Sequence, residues 1–343
     1  MDRRGFWLHL CAVLTAVVTL PLIFIGGLVT SHEAALAVPD WPTSYGYNMF
    51  FFPWDKMVGG IFYEHTHRLV ASAVGFMTLI LAVWLWLQDS RRWMKHLGLA
   101  ALALVILQGV LGGLRVILLK QQIAIFHACL AQMFFCLVSA LALFTSRWWR
   151  ECARVCVPIE DPALRRWTLS ATIVIFLQLI LGATMRHTGS GLAIPDLPLM
   201  YGHVFPPLTS AAIEVANNQR IWLWGLDPVT LSQVMIHLSH RISAVAVVVA
   251  ALLTARRIVQ RHRDYRVLTV PALAMALLVM AQFFLGMFVV WTQKAADIAT
   301  AHVALGALTL VFGFLLTLIS FKLTSPHPKP APVHLPQSEG ATA

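Results

Sequence analysis

The sequence predicts an all-α membrane protein with eight transmembrane helices. Of its 343 residues, 59% are apolar and only 12% are charged, and the apolar residues are grouped into long uninterrupted runs. Each run has roughly the 20 residues that a helix needs to cross the hydrocarbon core of a bilayer. Strands are excluded from these runs, because an open sheet edge would leave backbone groups unpaired in lipid.

The eight predicted spans alternate with short polar segments. Of the 25 Lys and Arg residues, 17 fall in every second segment and in the two tails. This distribution follows the positive-inside rule and predicts that both termini are cytoplasmic. It also accounts for the net charge of +10 without a nucleic-acid partner. The predicted spans are residues 6–29, 64–87, 96–118, 122–145, 167–186, 231–255, 267–291 and 297–321.

An internal repeat divides the chain into two units of four spans. Residues 26–46 align with residues 182–202 at an offset of 156, and later landmarks recur in the same order at offsets of 173 to 175. Because four spans return the chain to the same side, both units have the same orientation in the membrane. The recurring pairs include Pro39-Asp40 with Pro195-Asp196, His67-Arg68 with His240-Arg241, Gly112 with Gly286, and His127 with His302.

The repeat predicts two tandem parallel four-helix bundles. The N-terminal bundle covers residues 1–146 and the C-terminal bundle covers residues 167–323, with a cytoplasmic linker at 147–166. The proline-rich tail, residues 324–343, is expected to be disordered and cytoplasmic.

Four histidines occupy one layer in the outer half of the membrane. His67, His127, His240 and His302 each lie one to two turns below the outer start of an even-numbered span. Ionisable residues at such depth are costly and usually functional. A haem iron takes two axial nitrogen ligands, so one pair per bundle suits a bis-histidine haem. The expected pairs of iron ligands are His67 with His127, and His240 with His302.

Charged residues lie beside these histidines, and one of them, Glu64, is present in only one unit. Glu64 lies three residues before His67 on the same helix face, and its counterpart in the second unit is His237. A carboxylate in only one unit is what a proton-handling group requires, although a salt bridge to Arg68 is the alternative. Arg68 and Arg241 are predicted to pair with haem propionates, with snorkelling toward the headgroups as the alternative.

Taken together, these motifs resemble the haem A synthase family over residues 5–322. The motifs that carry the resemblance are Glu64-x-x-His67-Arg68, His240-Arg241, His127, His302, Pro39-Asp40-Trp41-Pro42, and Thr188-Gly189-Ser190-Gly191-Leu192-Ala193-x-Pro195-Asp196. The resemblance implies an enzyme that oxidises a ring methyl group of haem O to the formyl group of haem A. In this family the oxidation is thought to proceed by successive hydroxylations with water-derived oxygen.

The resemblance also implies a different role for each bundle. The N-terminal bundle would be the catalytic half, with substrate haem held by His67 and His127 and with Glu64 assisting at the methyl group. The C-terminal bundle would hold a haem B cofactor between His240 and His302. Some members carry a cysteine pair in the first outer loop, but residues 31–60 contain no cysteine. Electron entry through thiols at that loop is therefore not expected here.

Two other functions use the same four histidines. One is a di-haem bis-histidine transmembrane cytochrome that transfers electrons, and the other is a non-catalytic haem-handling protein. The enzyme reading implies haem O, haem O synthase, an electron acceptor and the lipid bilayer as partners. A bacterial plasma membrane fits better than a mitochondrial inner membrane. The sequence leaves open the electron acceptor, the oligomeric state, the order of hydroxylation, the route of haem O delivery, and the roles of His65 and His237.

Overall fold

The computed structural model describes residues 3–155 and 158–325, and this part of the chain is built from α-helices. Its only strand-like pairings are two isolated bridges, Ser44 with Tyr47 and Met200 with His203. The helices are α1 Arg3–Ser31, α2 Gly59–Gln88, α3 Arg92–Leu118, α4 Gln121–Thr145, α5 Arg147–Val155, α6 Pro162–His187, α7 Ser210–Gln219, α8 Leu231–His262, α9 Arg266–Trp291 and α10 Ala296–Leu323.

Eight of the described helices are long and apolar enough to cross a membrane, which confirms the predicted all-α membrane class. These are α1, α2, α3, α4, α6, α8, α9 and α10. Several extend beyond the apolar runs. Helix α2 begins five residues before the predicted span, and α8 continues to His262 through a basic segment. Such extensions stay helical outside the hydrocarbon core, because backbone bonding within a helix does not require apolar side chains.

The predicted linker at 147–166 is largely helical in the structure. It contains α5 and the first turn of α6. Asp161 caps α6, because its carboxylate accepts a hydrogen bond from the amide of Ala163 at 3.1 Å. The tail predicted to be disordered lies outside the described residues from 326 onward.

Helix packing follows the order of the chain within each half. Helix α1 packs against α2 and α4, and α3 packs between α2 and α4. In the second half, α6 packs against α8 and α10, and α9 packs between α8 and α10. The halves contact one another through α1, α4, α6 and α10. Helices α4 and α10 are accordingly the most buried of the eight.

Large apolar side chains point away from the protein along the helices. Phe76 on α2 is 64% exposed and Leu277 on α9 is 71% exposed. A water-soluble surface does not carry such residues in continuous bands, whereas lipid solvates them. Between the helices, polar contacts such as Thr172 Oγ1 to Thr317 Oγ1, at 2.8 Å, link α6 to α10.

Candidate functional site

The four predicted ligand histidines lie at similar positions in four helices. His67 is the ninth residue of α2 and His127 the seventh of α4. His240 is the tenth residue of α8 and His302 the seventh of α10. At a rise of about 1.5 Å per residue, all four lie within about 15 Å of the N-terminal ends of their helices. Their depths along the four helices are therefore similar.

Each of these histidine rings faces a glycine on a neighbouring helix. A Cβ added to Gly26 would lie 2.9 Å from Cε1 of His67, and one added to Gly112 would lie 3.6 Å from Cε1 of His127. At Gly182 and Gly286 the corresponding distances, to Cε1 of His240 and of His302, are both 3.2 Å. A larger residue at most of these positions would crowd the ring. The glycines therefore make the room in which each imidazole sits.

A glutamine amide holds the backbone of three of the four histidines. Gln108 Nε2 donates to the carbonyl of His127 at 3.1 Å, and Gln282 Nε2 donates to that of His302 at 2.6 Å. Gln178 Nε2 donates to the carbonyl of His240 at 3.1 Å. These bonds fix the helix turn that carries each ring, so they orient the imidazoles as supporting residues orient metal ligands.

Within each half, the two imidazoles lie close enough to influence one another electrostatically, and their pairing as iron ligands stays a prediction. His67 interacts electrostatically with His127, and His302 with His240. His240 and His302 also line one cavity of about 980 Å³. That volume is at the upper end of the roughly 300–1,000 Å³ typical of small-molecule and cofactor pockets. It is the size expected for a large flat ligand rather than for a bare ion.

The donor set fits a haem better than an isolated metal ion. Among the described residues, no cluster of three or more His, Cys, Asp or Glu side chains is able to hold a metal. A haem iron needs only two protein ligands, because the porphyrin supplies the other four nitrogens. The buried Nδ1 atoms of His67, His127 and His302 have no hydrogen-bond partner in the described structure. Two half-buried imidazoles in each half, each facing a glycine, fit the requirements of a bis-histidine haem site.

Glu64 and His237 make the same contacts in the two halves. Glu64 is 4% exposed and accepts hydrogen bonds from the amide of Val38 at 2.9 Å and from Arg68 at 2.7 Å. In the second half, His237 contacts the amide of Ile194 through Nδ1 at 3.2 Å and Arg241 through Nε2 at 3.1 Å. A neutral imidazole accepts at only one nitrogen, whereas a carboxylate accepts at both oxygens. Glu64 is therefore the better anchor for these two donors.

Arg68 and Arg241 hold the outer loops onto the helices. Arg68 donates from Nη1 to the carbonyls of Asp40 and Thr43, and from Nη2 to Val38 and Glu64, all at 2.7–2.9 Å. In the second half, the guanidinium of Arg241 reaches the carbonyls of Ile194, Asp196 and Leu199 and the ring of His237. The propionate role stays a prediction, and most of the N–H donors of both arginines are already bonded to protein.

An aspartate folds each of these outer loops. Asp40 accepts from the amides of Tyr45 and Gly46 at 2.7 and 2.9 Å, and Asp196 makes the equivalent pair of bonds to Tyr201 and Gly202. Burial raises the pKa of Asp40, but the bonds from Gly46, Thr43 and Tyr45 outweigh that effect and lower the pKa to about 2. Asp40 is therefore ionised at neutral pH and keeps the loop closed over α2.

The first outer loop also reaches α3. A Cβ on Gly113 would lie within 3 Å of the indole of Trp41, so the ring packs flat against this glycine. Gly113 follows Gly112, which faces His127. The Pro39-Asp40-Trp41-Pro42 signature thus places the indole of Trp41 next to the glycine that faces His127.

The match of the chain to a known family agrees with this geometry. Residues 7–314 match the COX15-CtaA model, which describes a cytochrome oxidase assembly protein. The chain belongs to the COX15-CtaA family. The matched residues include all four histidines, Glu64, and both outer loops.

Individual relatives of this COX15-CtaA protein carry the name Heme A synthase. The chain is 27% identical to that of Alkalihalophilus pseudofirmus over 92% of its own length and 95% of the relative's. It is 28% identical to that of Lysinibacillus sphaericus over 89% and 92% of the two chains. It is 29% identical to that of Erythrobacter litoralis over 73% and 70%.

The sequence left the roles of His65 and His237 open, and both side chains have bonding partners in the structure. His65 is 1% exposed, its Nδ1 lies 3.1 Å from Ser44 Oγ, and its ring packs against Phe52. It therefore fastens the first outer loop to α2. His237 occupies the place of Glu64 in the other half and holds the second loop.

Three residues near the sites were not singled out as site residues by the sequence. Gln178 lies on α6 against His240, where the repeat equivalent on α1 is Leu22. Arg115 on α3 and Arg186 on α6 lie at outer helix ends, where a basic residue reads as a membrane-interface anchor. Gln178 departs from the repeat, because its equivalent in the first unit is apolar. That departure is the sequence signal that could have identified it.

Proposed function

We propose that this protein is a haem A synthase, which oxidises a ring methyl group of haem O to the formyl group of haem A for terminal oxidases. The observation that carries the proposal is the set of four half-buried imidazoles, each facing a glycine on a neighbouring helix and each half of the molecule holding two of them. Similarity to relatives named Heme A synthase over about nine-tenths of the chain supports the same reaction.

We further propose that the two halves are tandem parallel bundles with both termini in the cytoplasm of a bacterium. The packing of α1–α4 and of α6 with α8–α10 into two closed groups supports the bundles. The concentration of basic residues between α2 and α3, α4 and α6, and α8 and α9 supports the orientation. The histidine layer then lies toward the outer face of the plasma membrane.

In this proposal the N-terminal half holds the substrate. His67 and His127 ligate the iron of haem O, and Gly26 and Gly112 leave space for the two rings. The carboxylate of Glu64 accepts two hydrogen bonds, so each oxygen keeps one free lone pair. It is able to accept a proton or to stabilise positive charge that develops at the methyl group. Arg68 and the first outer loop hold it in place.

The C-terminal half holds haem B between His240 and His302. A haem bound there supplies one-electron redox chemistry, with its potential set by the axial ligands and the burial of the site. Gln178 and Gln282 fix the backbone of the two ligands, and the second outer loop closes over them through Arg241. Electrons from the substrate half would leave through this haem to an external acceptor, and haem O would arrive from haem O synthase.

The haem content of purified protein tests the proposal directly. The full chain is expressed in cells that make haem O but lack a haem A synthase, and extracted haems are analysed by mass. We expect haem A together with haem B. Recovery of haem B and haem O alone, where a known synthase yields haem A, would refute the enzyme.

A di-haem electron-transfer cytochrome is the second candidate function. The observation that favours it is the equivalence of Glu64 and His237, which anchor matching loop amides in the two halves. If anchoring were the whole task of Glu64, no formyl product would depend on its charge. The electron-transfer function therefore predicts two retained haem B groups and no haem A.

A further inference from the structure

A half-buried arginine lines the C-terminal cavity. Arg186, near the end of α6, lies in the wall of the cavity that contains His240 and His302. Its Nη2 donates to the carbonyl of Gly27 and to Oγ of Ser31, both at 2.7 Å. These bonds use only one of its three nitrogens. Nε and Nη1 have no protein partner among the described residues.

A second arginine lies on the side of the N-terminal histidine pair. Arg115 on α3 lies three residues after Gly112, one of the glycines that face the histidine rings, and therefore on the same face of the helix. Arg186 on α6 lies four residues after Gly182, another of these glycines. Each histidine pair therefore has an arginine on a helix that faces one of its rings, in addition to the arginines that hold the loops.

The described protein does not neutralise this pair of cations. The acid that interacts with Arg115 is Glu64, and that carboxylate is already bonded to Arg68 and to the amide of Val38. An anionic partner stabilises a partly buried cation, because desolvation of an unpaired ion is costly. The unbonded nitrogens of Arg186 are therefore available to anionic groups supplied by a ligand.

We propose that Arg186 and Arg115 bind the propionate carboxylates of the haems in the C-terminal and N-terminal halves. This inference rests on the proposed function, because the anions are those of its cofactor and substrate. A guanidinium is suited to the task, since its planar fork bonds a carboxylate at two points. Arg68 and Arg241 then serve as holders of the loops, as their hydrogen bonds indicate.

The proposal has a consequence for the arrangement of the two haems. Because Arg186 bonds to Gly27 and Ser31 on α1 of the other half, the carboxylate edge of the cofactor would lie at the contact between the halves. Charge at that contact would then affect both haems. A substitution of Arg115, in the other half, is therefore expected to shift the reduction potential of haem B, as a substitution of Arg186 does.

A comparison of the binding of haem B and of its dimethyl ester shows whether Arg186 bonds a carboxylate or only shapes the cavity. Full-length protein made in haem-limited cells is titrated with each compound, and bis-histidine ligation is followed by Soret absorbance. Wild type is expected to prefer the free acid by about tenfold or more, the value of a charge-assisted hydrogen bond. Arg186→Gln should bring this preference close to one, and Arg186→Lys should keep part of it. Arg147→Gln, at an exposed cytoplasmic ion pair, is the matched control.

The same titration with haem O tests Arg115 in the N-terminal half. A His240→Ala background confines ligation to His67 and His127, and there Arg115→Gln should abolish the preference for the free acid. An unchanged preference in the Gln variants would overturn the proposal. So would equal binding of acid and ester by wild type, the result expected if lipid phosphates neutralise the arginines. A protein that ligates neither compound would instead refute the proposed function.

Discussion

Glu64 shows how one side chain serves both a fold and a reaction. Its two oxygens accept bonds from the first outer loop and from Arg68. The equivalent residue, His237, holds the second loop without a carboxylate. Anchoring alone therefore does not require an acid at this position. The acid in the proposed substrate half is explained by the chemistry proposed there.

Glu64→Gln separates the anchoring role from the chemical role. The amide still accepts the bond from Val38, so the first loop should remain in place, but it does not carry the charge or take up a proton. We expect formation of the formyl product to fall by about 100-fold or more, as for loss of a general acid–base group. Product is measured by mass analysis of extracted haem, and bound haem by its absorbance. Glu151→Gln, on the exposed surface of α5, is the control. Wild-type product yield in Glu64→Gln would contradict the catalytic role.

His240→Ala and His302→Ala test the ligands of the C-terminal haem. Each removes one of the two nitrogens that the iron requires, so the reduced-minus-oxidised spectrum of retained haem B should disappear. The fold should survive, because the truncated ring faces a cavity. His203→Ala, in the exposed second outer loop, should leave the spectrum unchanged. Wild-type spectra in both ligand variants would refute the site.

At the scale of helices, the odd-numbered spans of each half shape the ligand space. The four glycines that face the histidine rings lie on α1, α3, α6 and α9, and the four histidines lie on α2, α4, α8 and α10. The choice of glycine in these helices costs helix propensity, about 1 kcal/mol each relative to alanine. The cost is offset by the space that each glycine leaves, because a methyl group at that position would crowd the imidazole ring.

Gly26→Ala should displace the ring of His67. The new Cβ would lie 2.9 Å from Cε1, closer than side chains tolerate. Overpacking of this kind costs about 1–3 kcal/mol, so we expect haem O affinity to fall by about tenfold or more. Affinity is measured by Soret titration. Gly182→Ala, where the distance is 3.2 Å, should have the smaller effect on haem B.

Gly109→Ala is the matched control for these substitutions. It lies on α3 in the same kind of helix, and a Cβ there would meet no described atom within 4 Å. Alanine should therefore leave haem binding unchanged and stabilise the helix slightly. Equal loss of affinity in Gly109→Ala and Gly26→Ala would show that the glycines facing the histidine rings have no special role in haem binding.

At the scale of the whole molecule, the two halves meet at one interface. Helices α1, α6 and α10 meet where Ser31 Oγ lies 2.9 Å from Thr300 Oγ1 and where Arg186 bonds to Ser31. Thr300 lies two residues before His302 on α10. The contact between the halves thus adjoins both candidate sites.

Labelling of introduced cysteines tests the proposed orientation. Asp55→Cys, in the exposed first outer loop, should react with a membrane-impermeant maleimide in intact spheroplasts. Arg92→Cys, at the start of α3, should react only after the membrane is permeabilised, because the proposed orientation puts the basic segments in the cytoplasm. The unmodified chain gives the background from native cysteines. The reverse pattern of labelling would contradict the topology and place the histidine layer near the cytoplasm.

Much of the fold and of the site follows from the sequence by local rules. Runs of apolar residues predict the eight helices, because a bilayer excludes unpaired backbone. The repeat then predicts which histidines share a half and a depth. Residues such as Gln178 and Arg186 were not predicted as site residues, because their roles depend on which helices face one another.

The sequence by itself determined the membrane class, the helices and the paired histidines, since each depends on composition or spacing along one chain. Only the tertiary structure decided that a glycine faces each ring, that Arg68 and Arg241 hold loops, and that Arg186 lines the C-terminal cavity. The physical reason is that contacts between helices depend on rotation and crossing, which periodicity within one helix does not specify.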